Sequence, residues 1–388
     1  MGNRRILILL PANQVYGQER AFIAVAQLLR REGYDCHFLT HRGWGQDVAD
    51  HLADLGFSST SLPFGTIWSL SMALRKPGLL ITNAYGVVRC SLAFFRVVSS
   101  LRPGYLMTGN TSFTFYILPM LLMAKLHVIF RHGDDLIEHS AFHRILNRIL
   151  FHRVDRHAVN CQYLGYKLTS KYPKIEPAVI YNLPRQIGSS KNVVKAHNPV
   201  HDDAQVNLLY VGQIAEHKGI GLLICAFREL SPQFPKLVLT IVGEVPGVGS
   251  SKDPSALTEV TRATRDLPGQ VFYAGHQDDL AAYYERADIH LCPSTYEEPS
   301  PNVIFEAKWY GLPSVVFNVG GIPELVRHQV DGYVCKKVDA QSLADGIRHF
   351  LSSAETRKRC GMAAREGLDA RFGPERFRKQ WLDVLRCD

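Results

Sequence analysis

VNLLYVGQIAEHKGIGLLICAFRELSPQFPKLVLTIV, residues 206–242, decides the fold. It opens on an apolar run at Val206–Val211 and passes through a glycine-bearing loop. It then takes a helical pattern over Gly219–Leu230 and returns to an apolar run at Lys236–Val242. Short apolar runs alternating with amphipathic stretches signal βαβ units and a parallel sheet. Runs apolar at nearly every position predict strands covered on both faces. Downstream the alternation continues through strands at Gln270–Ala274, Ile289–Pro293 and Ser314–Phe317, with helices at Asp279–Arg286 and Val303–Gly311. Two helical stretches, near Ser342–Ser353 and Pro374–Leu385, close the chain.

Upstream the pattern is the same. Ile6–Leu10 reads as a strand, Gln18–Arg31 as a helix and Cys36–Thr40 as a second strand. Further strands are expected at Gly78–Thr82, Tyr105–Thr108, His127–Phe130 and His157–Asn160, with a helix at Ala141–Val154. Residues 185–205 are polar and turn-rich, which predicts a linker there. The expectation is an α/β chain of two doubly wound domains, residues 1–190 and 200–370, with 371–388 as a helix packing back toward the first. Such domains bind ligands at strand carboxyl ends, and two facing each other would enclose a cleft.

Composition narrows the classes. The chain has 388 residues, 46% hydrophobic and 21% charged, a globular profile long enough for two domains. Its 8 cysteines form no CxxC pair, so neither a disulfide scaffold nor a structural zinc site is expected, and a reducing, cytoplasmic setting fits. The apolar run at Ile6–Leu10 is too short for a signal peptide core. Phe113–Phe130 contains Pro119, Lys125 and His127, and reads as a buried helix followed by a strand rather than a membrane span.

Charge is uneven. Residues 1–190 hold 21 Lys+Arg against 11 Asp+Glu, a net +10, whereas 191–388 hold 23 against 25, a net −2. A basic half suits a phosphate-bearing partner or an anionic membrane surface, with peripheral attachment to the inner face of the membrane. No basic tract or RNA-binding aromatic motif accompanies it, so nucleic acid is not an expected partner.

Two carboxylates stand out. Glu298 follows a strand in a Pro-rich loop, and Glu306, after seven intervening residues, sits on the first turns of the next helix. Both would lie at a sheet's carboxyl edge, where a carboxylate can accept two hydrogen bonds from a diol. A solvated loop carboxylate and a helix N-terminal one would look the same in sequence. Gly320-Gly321-Ile322-Pro323-Glu324 is a glycine turn whose amides could approach a phosphate. Lys218, in the loop after Val206–Val211, could neutralise a diphosphate. Gly247-Val-Gly249 lacks the third glycine of a dinucleotide fingerprint, and no phosphate-loop Gly-Lys-Ser/Thr occurs, which disfavours a dehydrogenase or a phosphate-loop enzyme. The pairs Asp134-Asp135, Asp202-Asp203 and Asp278-Asp279 read as caps and loop residues, and no metal site is expected.

These elements together resemble the retaining nucleotide-sugar glycosyltransferases of family 4. The resemblance rests on Glu298-x7-Glu306, the AlaLysTrpTyrGlyLeuPro that follows, GlyGlyIleProGluLeuVal, HisGlnValAspGlyTyr, the GlyGln…LysGly loop, IleValGlyGlu at 241–244 and TyrAlaGlyHisGlnAspAspLeu at 273–280. In the first half it is looser: Pro11 to Arg20 with Tyr16-Gly17, Arg131-His132-Gly133-Asp134 and Tyr181-Asn182-Leu183-Pro184.

The resemblance implies the GT-B architecture, two Rossmann-like domains facing across a cleft. It also implies transfer of a sugar, with retention and without a metal, from a UDP- or GDP-sugar to a glycan or lipid-linked acceptor, in bacterial-type surface polysaccharide or glycolipid assembly. The nucleotide sugar would be a substrate, and no cofactor is implied. Glu306 would bond the ribose hydroxyls, Glu298 the sugar hydroxyls, and Lys218 the diphosphate. Gly320, Gly321, Gly17, Asn302 and Gln213 would add donor contacts. The loop around Gly275, within Phe272–Gln277, would meet the base, and the side chain or backbone of His132 would face the transferred sugar. The catalytic set so implied is His132, Lys218 and Glu298. One position departs: the family commonly has Arg where Gln213 stands, five residues before Lys218. That departure keeps open a nucleotide-sugar-binding protein without transfer, beside an epimerase or hydrolase of the same architecture.

Overall fold

The computed structural model describes residues 4–15, 17–65, 77–134, 141–183, 205–245 and 254–386. The chain divides into two compact units, Met1–Tyr181 with Arg378–Asp388, and Asn182–Phe377.

The first unit is built on β1 (Arg5–Leu9), β2 (Asp35–His41), β3 (Ser58–Leu62), β4 (Tyr105–Thr108), β5 (His127–His132), β6 (Arg156–Val159) and β7 (Ala178–Val179). All pair in parallel, in the order β3-β2-β1-β4-β5-β6-β7. The second unit uses β8 (Val206–Val211), β9 (Leu237–Val242), β10 (Val271–Tyr273), β11 (Ile289–Cys292), β12 (Ser314–Phe317) and β13 (Gly332–Cys335), again parallel, in the order β10-β9-β8-β11-β12-β13. Central strands are buried residue after residue: β11 and β12 expose no position. That is why they read in sequence as largely apolar runs rather than as strict alternations.

Each sheet reverses strand order once, between β1 and β4 in the first unit and between β8 and β11 in the second. At such a reversal the loops leaving adjacent strands diverge to opposite faces, opening a crevice at the carboxyl ends.

The last helix, Pro374–Leu385, carries its final turns into the first unit. There Arg378 pairs with Glu32 at 3.3 Å, Gln380 donates to the Val179 carbonyl at 2.9 Å, and the Tyr105 hydroxyl donates to the Leu385 carbonyl at 3.1 Å.

One expected strand is corrected. Gly78–Thr82 belongs to the helix Pro77–Leu101. A five-residue apolar run has no period of its own, and here it opens a 25-residue helix. Phe113–Phe130 does divide as expected, into the helix Thr111–Met123 and β5. The polar edge strand β3, the short β13 and the helix Ala354–Phe372 were not signalled by the apolar runs. The stretch 185–204 of the expected linker, Tyr16, Asp135, Pro184, Asp202-Asp203 and Gly247-Val-Gly249 lie outside the described residues.

Candidate functional site

The site of the second unit grows from the β8/β11 reversal. The chain leaves β8 at Val211, and a loop with a 3-10 turn, Glu216–Lys218, carries Lys218. It leaves β11 at Cys292, and the next loop carries Glu298. Residues 80 apart in sequence thus meet: the Lys218 Nζ lies 2.7 Å from Glu298 Oε1, both side chains largely shielded.

The two loops are stapled beneath this pair. The Thr295 N–H donates to the His217 carbonyl at 2.9 Å, and the Thr295 hydroxyl donates to the same oxygen at 3.1 Å. Gly219 turns with φ +77°, and a Cβ there would come within 1.9 Å of the Pro293 carbonyl oxygen. Only glycine permits both that backbone conformation and that approach.

Glu298 is held on both oxygens. Besides Lys218, the Ser294 hydroxyl donates to Oε2 at 2.7 Å. Lys218 also donates to the Tyr296 hydroxyl at 3.2 Å and lies over its ring. Burial works against the ammonium charge. The Glu298 carboxylate and Tyr296 outweigh it and hold Lys218 above its ordinary value, so it carries its charge at neutral pH. The same environment, burial first and then Glu298, pushes the Cys292 thiol beneath it up to about 12, leaving it an uncharged floor.

The glycine turn completes the site as a support. Gly320 has φ +57°, and a Cβ there would come within 2.6 Å of the Glu298 carbonyl oxygen. The Gly321 N–H donates to that oxygen at 3.0 Å. The helix that follows is four residues long, Ile322–Leu325. Gly320 and Gly321 therefore position Glu298, and the Gly321 amide is already engaged there.

Glu306 lies buried on the helix Asn302–Trp309 and accepts from the Tyr284 hydroxyl at 2.9 Å. Burial, and next the Glu306 charge, drive the Tyr284 hydroxyl well above its ordinary range, so it stays a donor. Asn302, at the start of that helix, accepts from the Asn182 side chain at 3.0 Å. Gln213 is exposed on the Lys218 loop, its carbonyl accepting from Tyr210 at 2.7 Å. Gly275 has φ +67°, with open space where a Cβ would point, and its carbonyl accepts from the Gly243 N–H at 2.8 Å.

His132 belongs to the first unit. It ends β5 but is only 3% exposed, packed against Phe130 and Phe151, with its Nε2 3.0 Å from His157 Nδ1. Burial, then the neighbouring His157 ring and the Arg131 charge, keep it well below its ordinary pKa and neutral. Its side chain is a buried group of the first unit, at the carboxyl end of β5. Gly17 begins the helix Gly17–Arg31. The neighbouring β1/β4 reversal holds a cavity of about 130 Å³ lined by Leu10, Pro11, Gln18, Glu19, Gly109 and Asn110 among others. Beside that helix, burial lowers the Arg131 guanidinium to about 10, against the pull of Asp134 and Glu19. Ser294, Tyr296 and Tyr284 were not singled out from sequence. Ser294 and Tyr296 flank the Glu298 loop closely enough that proximity alone would have flagged them; Tyr284 carried no such signal.

Comparison with known proteins follows the same division. Residues 195–367 match the family model of glycosyl transferases group 1. An uncharacterized glycosyltransferase of Haemophilus influenzae is 27% identical over 179 residues, 46% of this chain and 48% of that protein. A glycogen synthase of Mycobacterium tuberculosis is 35% identical over 167 residues, 42% of this chain and 38% of that one. The chain thus spans about half or less of these relatives' length. In fold the chain is similar to Anabaena HepE, solved in complex with UDP, with a TM-score of 0.79 at 18% identity, covering 98% of this chain and 99% of that one. The two parallel-sheet units are those of the GT-B fold, and the Lys218–Glu298 pair lies within residues 195–367, the stretch that matches the glycosyl transferases group 1 model.

Proposed function

We propose that the chain transfers a sugar, with retention and without a metal, from a UDP- or GDP-sugar to a glycan or lipid-linked acceptor. Polysaccharide or glycolipid assembly at a bacterial-type surface is the setting. The observation that carries this reading is the Lys218–Glu298 pair at the β8/β11 reversal. As the glycosidic bond breaks, negative charge grows on the departing diphosphate, and a fixed ammonium aimed at it stabilises the transition state. Lys218 is charged and oriented before any donor arrives. Glu298, released from one partner, can accept from a sugar hydroxyl while Ser294 still holds its other oxygen. Glu306, fixed by Tyr284, takes the ribose diol. The acceptor would use the first unit, and no carboxylate nucleophile is assigned.

The test is turnover with labelled UDP- and GDP-sugars. Lys218→Ala and Glu306→Gln should each remove about 2–4 kcal/mol of transition-state binding. Near-native kcat/KM in either removes that residue from its role. One observation favours a second reading: neutral, exposed Gln213 adds no charge to the diphosphate site. Donor binding without product on any acceptor would establish a binding protein, and free sugar with nucleotide diphosphate would establish a hydrolase.

A further inference from the structure

The helix Pro77–Leu101 shows solvent a stripe that a folded core would normally claim. Ile81, Tyr85, Val88, Leu92 and Phe95 are 50–72% exposed. Their spacing of four, three, four and three keeps them on one face of the helix. The opposite face is closed: Cys90 and Phe94 are buried in the unit's core, so the helix lies along the unit. By length and composition Ile81–Leu101 could cross a membrane, but a helix packed on its own sheet by one face can only lie on a bilayer.

The neighbouring helices extend the surface. β3, β4, β5 and β6, the strands these helices connect, follow one another in one direction across the sheet. Right-handed crossovers therefore put Pro77–Leu101, Thr111–Met123 and Ala141–Arg153 on one side of it. They pack in that order. Leu122 and Met123 are exposed at the end of the second helix, and Ile145 and Ile149 on the third.

The charge on these helices is of one sign. Their 25, 13 and 13 residues contain no Asp or Glu. Arg89 and Arg96 are exposed beside the first stripe, and Arg144 and Arg148 beside Ile145 and Ile149. The Arg89 guanidinium lies over the Tyr85 ring, 5.3 Å from its centroid.

An apolar stripe edged by arginines, with no carboxylate to repel a phosphate, is the composition of an interfacial surface. A second copy of this chain would bring arginines against arginines. We infer that the face formed by these three helices docks the protein on an anionic lipid bilayer, the stripe entering the headgroup layer and the arginines meeting lipid phosphates. The inference stands apart from sugar transfer, because binding needs no donor.

The test is flotation of the full chain with vesicles of phosphatidylcholine alone or with 30% phosphatidylglycerol, at low and high salt. Expected is flotation with the anionic vesicles, weakened by salt. A bound arginine near the surface is worth about 1 kcal/mol, or about fivefold in partitioning. Arg89→Gln with Arg96→Gln should therefore lower binding about twenty-five-fold. Tyr85→Ser with Leu92→Ser should abolish it, and Ile145→Ser with Ile149→Ser, on a separate helix, should weaken it. Circular dichroism melts identify any variant that fails to fold, and the other pairs then decide. No flotation, equal flotation on both vesicles, or native flotation by every folded variant overturns the inference. So does a dimer in sedimentation that Leu92→Ser dissociates, which would assign the face to a second copy.

Discussion

Lys308 and Asp331 form an ion pair that water does not reach. The Lys308 Nζ is 2.9 Å from Asp331 Oδ1, with the two side chains 1% and 0% exposed. Asp331 also accepts from the Arg327 guanidinium and from the Arg327 N–H, each at 2.8 Å. Burial drags the Lys308 ammonium down to about 8, and only Asp331 holds it that high. The pair anchors the helix that presents Glu306, two residues away. Removing one partner of such a pair strands the other charge, so Asp331→Asn should destabilise the protein by about 3–5 kcal/mol in urea unfolding. Lys308→Met should be milder, because Arg327 still faces Asp331. Combining the two should recover part of the loss, since no buried charge then lacks its partner. A single Asp331→Asn variant as stable as the native chain would show that the pair contributes nothing.

At the scale of elements, two glycines with similar backbones predict different outcomes. Gly320 and Gly275 both have positive φ, +57° and +67°, so alanine strains either by about 1–2 kcal/mol. At Gly275 the new methyl points into open space, and the strain is the whole effect. At Gly320 it meets the Glu298 backbone and must push the loop away. Gly320→Ala should therefore weaken nucleotide-sugar binding in calorimetry more than tenfold beyond its loss of stability, whereas Gly275→Ala should not. Equal binding by the two variants would sever the glycine turn from Glu298. This coupling was invisible in sequence, where Gly320-Gly321 read as a phosphate cradle. Motif order told which loops matter, but only the strand reversal tells that Lys218 and Glu298 touch. Fully buried strands such as β11 and β12 were legible because both faces demand apolar residues. The edge strand β3, SSTSL, was not, because solvent relaxes that demand. For His132 the position at the end of β5 was legible, but the side of the sheet its ring would take was not.

For the molecule as a whole, both units bury neutral histidines. His157 in the first is held down at about 4 by burial, and His290 in the second at about 3 by the same cause. Their ordinary value is near 6.5. Between that value and the folded one, the unfolded chain binds protons that the native chain refuses, so stability rises with pH across the window. It is fully present above about pH 6.5 and is lost as pH falls toward 4 and then 3. Each group adds at most about 1.4 kcal/mol per pH unit within its window. The Tm should therefore fall steeply from pH 6.5 to 4.5, before most carboxylates titrate. His290→Asn removes a titrating group from the second unit, where the ring nitrogen Nδ1 meets the Ser314 hydroxyl at 3.0 Å. That variant should start from a lower Tm at pH 7.5, because its core is less well filled, yet lose fewer degrees on acidification. The slope, not the starting value, identifies the histidine: parallel melting curves for variant and native chain across pH 7.5 to 4.5 would mean that acid attacks this protein elsewhere.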